Sequence, residues 1–131
     1  GDQWHSYRVL KMLCEAGHND PALLKAALLH DVGKTRVPFG PIQRSIVSLV
    51  EKVLPETAAS WGQMRLGEAS WWQRPFVVSE QHPQWSAEMA EDVGCSETAV
   101  ALMRRHQDKI TFIHDKEDQL LFYLQWADNQ N

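Results

Sequence analysis

Cysteine is scarce in this chain: Cys14 and Cys95 stand far apart and neither belongs to a paired metal-binding motif. Such usage builds no disulfide framework and suits a reducing compartment, so the expected location is the cytoplasm. Long apolar runs are missing too. None approaches the roughly 18–20 residues that cross a bilayer, and no membrane partner is expected. Nor is there an excess of basic charge, since 13 Lys and Arg face 17 Asp and Glu for a formal charge of −4 and a pI near 5.8. That balance argues against charge-driven binding to a nucleic-acid polymer. It leaves room for a small phosphorylated substrate, because a bound cation reverses the field locally. Strand signal is weak, and internal repeats, low-complexity segments and a signal peptide are not seen. Gly1 reads as a tag remnant, compatible with a native N-terminal extension.

What is present is helical periodicity. With 131 residues and 44% hydrophobic content, the chain is expected to form one domain, residues 1–131, an all-α bundle of about six to seven helices. Its organising stretch is Leu23 to Lys34. From Ala22 to Leu29 only Lys25 is polar, so this helix is expected to be central and buried on all sides. Asp20 is placed to cap it, Pro21 suits its first position, and Gly33 is expected to end it in the left-handed conformation. His30 and Asp31 then fall in its last turn.

Other helices are expected over Gln3–Ala16, Ile42–Leu54, Thr57–Arg65, about Gln84–Val93, from Ser96 to His106, and over Glu117–Asp128. Thr35–Pro41 reads as a loop, Phe76–Ser79 as a short strand or a helical turn, and Asp108–Lys116 as a loop carrying His114. His5, His106 and Asp128 each extend the apolar stripe of a separate helix. His82 is expected to share an inward face with Trp85, Met89 and Val93, whereas His18, in a turn, is expected to face solvent. A single histidine on an apolar stripe is more often a hydrogen-bonded core residue than a ligand. Several, together with a carboxylate that is costly to bury unpaired, call for a shared partner, and a metal ion meets that need.

The run His30-Asp31-Val32-Gly33-Lys34 resembles the signature of the HD superfamily of metal-dependent phosphohydrolases. The family pattern is an early His, the His-Asp pair and a late Asp. Here His5, His30-Asp31 and Asp128, in Gln-Trp-Ala-Asp, match in order. His82-Pro83 and Arg105-His106 resemble the two extra histidines of the two-metal subset. The resemblance implies that His5, His30, Asp31 and Asp128 hold one ion and that Asp31, His82 and His106 hold a second, with Asp31 bridging. The ions would be divalent transition metals, Fe, Mn, Zn, Co or Ni, with Mg also compatible. Asp31 and Lys34 are the expected catalytic residues, Lys34 as a point charge for a phosphate oxygen, with a merely solvated Lys after the helix equally compatible.

The implied reaction is hydrolysis of a small phosphoester, a nucleotide or dinucleotide, by metal-activated water. Arg104 or Arg105 is a candidate for the site mouth, with a surface role equally compatible. Trp71, Trp72 and Trp85 are read as packing an irregular stretch rather than stacking on a base. No Gly-Tyr-Pro motif follows His106, which argues against the HD-GYP phosphodiesterases. The stretch between Lys34 and His82 is longer and richer in Trp than in the diadenosine tetraphosphate hydrolases. The alternative is a metal-binding regulatory or sensing domain without turnover, and a metal-free interaction module ranks last. Oligomeric state is open.

Overall fold

The computed structural model describes residues 2–36 and 40–131. Among them are seven α-helices and one short 3-10 helix, with no strand: α1 (Asp2–Glu15), α2 (Pro21–Leu29), the 3-10 helix (Val32–Arg36), α3 (Pro41–Val53), α4 (Pro55–Gly62), α5 (Arg74–Asp92), α6 (Glu97–Arg105) and α7 (Lys116–Gln130). The all-α expectation holds. The chain forms two compact units, one of Gly1–Val32 with Pro83–Asn131 and one of Gly33–His82.

In the first unit, α2 packs against α1, α6 and α7. The buried side chains of Val9 and Leu13 from α1, Leu23, Ala26 and Ala27 from α2, Leu102 and Met103 from α6, and Leu121 and Leu124 from α7 form one core. Asp20 accepts from the amides of Ala22 and Leu23, at 2.9 and 3.3 Å, which satisfies two of the unpaired donors that open α2. The expectation that α2 is buried on all sides fails along one stripe. Pro21, Lys25 and Leu28 follow one another at helical spacing and are exposed.

The end of α2 also differs. Positive φ among described residues falls at Gly17 and Gly94, not at Gly33. The chain leaves α2 at His30 and tightens into the 3-10 helix, with Gly33 inside it, so no left-handed residue is needed. The expected Thr35–Pro41 loop is partly this 3-10 helix, and its residues 37–39 lie outside the described residues.

The second unit has a smaller core of Val47, Ala58 and Phe76, with Val50 and Trp61 against it. Gly62 ends α4 where α5 passes closely: a Cβ there would sit 2.6 Å from Glu80 Cβ and 3.1 Å from the Phe76 carbonyl oxygen. The Gln81 side-chain amide donates to the Gly62 and Met64 carbonyls, at 2.7 and 2.9 Å, and satisfies acceptors that the end of α4 leaves unpaired.

Helix α5 is longer than expected. It begins at Arg74, takes in Phe76–Ser79 as helix, and runs through Pro83 without stopping. Its inward positions also differ, for Ser86, Ala87 and Ala90 are buried whereas Met89 and Val93 are exposed. Ala87 and Ala90 join the core of the first unit, and Met89 and Val93 lie outside it. His18 does not simply face solvent, because its ring lies on Tyr123 at 4.1 Å between centroids.

Candidate metal centre

Helix ends and carbonyl groups position the imidazoles. The last carbonyls of a helix lack intrahelical donors, and a side chain at the C-cap can satisfy one. His30 caps α2, and its Nδ1 donates to the Ala27 carbonyl at 2.9 Å. His106 caps α6 and does the same to Met103 at 2.6 Å. A carbonyl only accepts, so in both rings the proton sits on Nδ1 and Nε2 presents a lone pair.

His82 lies inside α5 rather than at its end, yet meets the same condition. Pro83 has no N–H, so the Ser79 carbonyl lacks its usual donor four residues on. His82 Nδ1 donates instead to Val78 and Ser79, at 2.9 and 3.0 Å. Three histidines chosen from sequence thus share one tautomer. Metal-binding histidines typically hold their second nitrogen this way.

Within the first unit, α1, α6, α7 and the end of α2 bring five of the predicted residues together. His5 Nε2 lies 2.7 Å from Asp128 Oδ1 and 3.8 Å from Asp31 Oδ2. His30 Nε2 lies 3.3 Å from Asp128 Oδ1 and 3.4 Å from Asp31 Oδ2. His106 Nε2 lies 3.5 Å from the other oxygen of Asp31, Oδ1. Asp31 therefore faces His5 and His30 with one oxygen and His106 with the other. One ligand atom from each of His5, His30 and Asp128 lies within 4.8 Å of the others, close enough to hold one ion. His82 is the last residue of the second unit and is buried.

The electrostatics test whether a metal fits. His30 is fully buried, and its Nε2 makes no hydrogen bond. With the proton on Nδ1, this acceptor faces carboxylate oxygens, which are acceptors themselves when ionised. Either a second proton or a cation resolves that opposition. Burial lowers the His30 pKa, but the close approach of Asp128 and the negative charges of Asp31 and Asp128 outweigh it, so the pKa is raised from 6.5. Burial likewise pushes Asp128 up, yet its contact with His30 holds it below 3.8. The buried, unpartnered Nε2 amid imidazole and carboxylate donors fits a divalent transition metal.

Lys34 stands in the 3-10 helix, partly buried, in the second unit. The two arginines have different surroundings. Arg105 binds Glu117 and Asp118 at 2.7 and 2.9 Å, and Arg104 donates to Gln84 at 3.0 Å on the surface. The packing expectation holds for Trp85, which is buried, and for Trp72, whose ring meets Trp61 edge-on at 5.0 Å. It fails for Trp71, which is 76% exposed.

Two supporting residues escaped the sequence reading. Gln125 donates to the His106 and Asp108 carbonyls, at 3.1 and 2.6 Å, tying the end of α6 to α7. Its position one turn before Asp128, on the same side of the helix, was the available signal. Asp118 is buried, and besides Arg105 it accepts from the His114 amide at 3.0 Å. The available signal was its place three residues after Asp115, which caps α7.

An all-helical fold that gathers imidazoles and carboxylates from separate helices defines a helical domain with residues that could hold a metal ion. A family model described as HD domain matches residues 4–129, nearly the whole chain, and the chain belongs to that family. No curated protein and no solved structure matches it. No helix among the described residues is long and apolar enough to cross a membrane.

Proposed function

We propose that this HD domain is a metal-dependent phosphohydrolase acting on a small phosphoester, with a nucleotide or dinucleotide as the first class to test. The observation that carries the reading is the buried Nε2 of His30, without a hydrogen bond and opposed to Asp31 and Asp128. His5, His30, Asp31 and Asp128 are assigned to one ion, and Asp31, His82 and His106 to a second. Bound divalent ions supply Lewis acidity to phosphoryl oxygens and lower the pKa of water.

The chain's own residues do the rest. The Ala27, Met103 and Ser79 carbonyls accept from Nδ1 of His30, His106 and His82 and so fix the direction in which each Nε2 points. Asp31 supplies two oxygens to different neighbours, which suits a bridging carboxylate. Lys34 is assigned to a phosphate oxygen of the substrate, where its charge offsets that of the phosphoryl group. Affinity order does not decide which metal is used, so Fe, Mn, Zn, Co and Ni are all to be tried.

The test pairs metal content per chain with release of phosphate or nucleoside monophosphate from a panel of phosphoesters in the presence of Mn²⁺. Turnover that disappears in Asp31→Ala, with helicity retained, supports the proposal. A chain that binds metal and turns over nothing in the panel would instead be a regulatory or sensing domain.

A further inference from the structure

Helix α3 carries a second apolar face that its own unit does not cover. Val47 is buried in the core of the second unit, with Val50 packed against it. Ile42, Ile46, Leu49 and Val53 are all exposed, by 52–78%. Their spacing of four, three and four residues is that of a coiled-coil seam, a stripe narrower than the face a globular core needs. Trp71 and Trp72 extend this surface beside a nearly wholly apolar pocket of about 300 Å³, lined also by Ile46, Val50 and Trp61. A single exposed leucine needs no explanation, whereas a continuous patch of this size marks an interaction site.

We infer that this face pairs with the same face of a second copy of the chain. Side chains at this spacing form a narrow apolar strip along one side of α3, a shape that a facing helix can fill. Its area is sufficient. Six side chains exposed by 44–78%, two of them tryptophans, present apolar surface on the order of the ~800 Å² that each partner brings to a standard interface. A self-complementary patch closes as a two-fold dimer and leaves no further surface to propagate. An anionic membrane is the poorer occupant. Helices that lie on membranes have a wide apolar face and a polar face rich in Lys and Arg. Here the exposed stripe is narrow, and the remaining charges of α3 are Arg44, Glu51 and Lys52.

Sedimentation equilibrium of the whole chain, over about 1–200 µM, tests the inference alongside Ile46→Glu/Leu49→Glu and, separately, Trp71→Gln. The expected result is a reversible dimer for the native chain. The double variant should be monomeric throughout, and Trp71→Gln should weaken the dimer about fivefold or more, as loss of an interface tryptophan does. Because these side chains are exposed in the single chain, helicity and metal content should stay unchanged. A native chain that is monomeric over the whole range overturns the inference, as does a dimer untouched by both variants. So does a monomer that floats with phosphatidylglycerol vesicles, which would give the face to a membrane.

Discussion

His30 Nε2 and Asp128 Oδ1 stand 3.3 Å apart, and no hydrogen bond joins them. Two states relieve the opposition, a proton on His30 or a cation between the side chains, and they respond to pH in opposite directions.

In the metal-free protein the His30 pKa is raised from 6.5. Its contribution to stability is therefore complete below 6.5 and fades as pH climbs through the raised value. Asp128 titrates below 3.8 in the folded state, so its contribution is present above 3.8 and is lost as pH falls through the lowered value. Melting temperature in chelator should thus be highest between these limits and decline on the alkaline side. Metal ligation needs unprotonated imidazole, so with excess Mn²⁺ or Zn²⁺ the trend above 6.5 should reverse. Thermal melts across about pH 5–8 with and without metal make the comparison. Parallel slopes in both series would remove the metal from this account.

Gln125 should matter beyond its own two hydrogen bonds, at 3.1 and 2.6 Å, because they hold the residue that carries a predicted ligand, His106. Gln125→Leu should cost about 1–3 kcal/mol, since it removes the donor from two helix-end carbonyls. It should also weaken metal binding about tenfold or more, as outer-sphere changes do. Chemical denaturation and a metal titration read the two effects separately. A stability loss with unaltered metal affinity would reduce Gln125 to a helix tie.

The helical architecture was legible because apolar residues recur at helical spacing, and because Asp20, Pro21 and Ser96 announce helix starts through local chemistry. The histidines were legible for the same reason, as polar interruptions of apolar stripes. What could not be read depended on neighbours. Pro83 usually marks a boundary, but here a side chain satisfies the freed carbonyl and the helix continues. Gly33 usually ends a helix by adopting positive φ, but a 3-10 turn takes over first. Met89 and Val93 fit the helical period as well as Ser86 and Ala90 do, and only the tertiary packing decides which face is buried. Arg105 was compatible with a site mouth until Glu117 and Asp118 claimed it.

Gly62 tests the close approach of α4 and α5 in the second unit. A methyl group there would meet Glu80 Cβ at 2.6 Å, an atom next to the backbone that cannot swing away. Gly62→Ala gains helix propensity, but the overlap should win and destabilise the chain by about 1–3 kcal/mol. Urea denaturation should show the loss, and a variant as stable as the native chain would mean that the two helices separate freely.

Pro83 separates stability from function most sharply. A proline inside a helix costs about 3 kcal/mol, partly through the hydrogen bond it removes. Pro83→Ala restores an N–H that can reach the Ser79 carbonyl, now one of two acceptors for His82 Nδ1 at 2.9 and 3.0 Å. The backbone donor then competes with the imidazole for that oxygen. The ring keeps Val78 as an acceptor, but it loses the second bond that fixes its direction. The variant should therefore melt at the same temperature or higher, while the affinity for a second ion falls about tenfold, the low end of what loss of an outer-sphere partner costs. Metal titration by calorimetry beside a thermal melt gives both numbers from one preparation. If second-ion affinity matches that of the native chain, the carbonyl at Ser79 has no part in aiming His82, and Pro83 serves only the backbone.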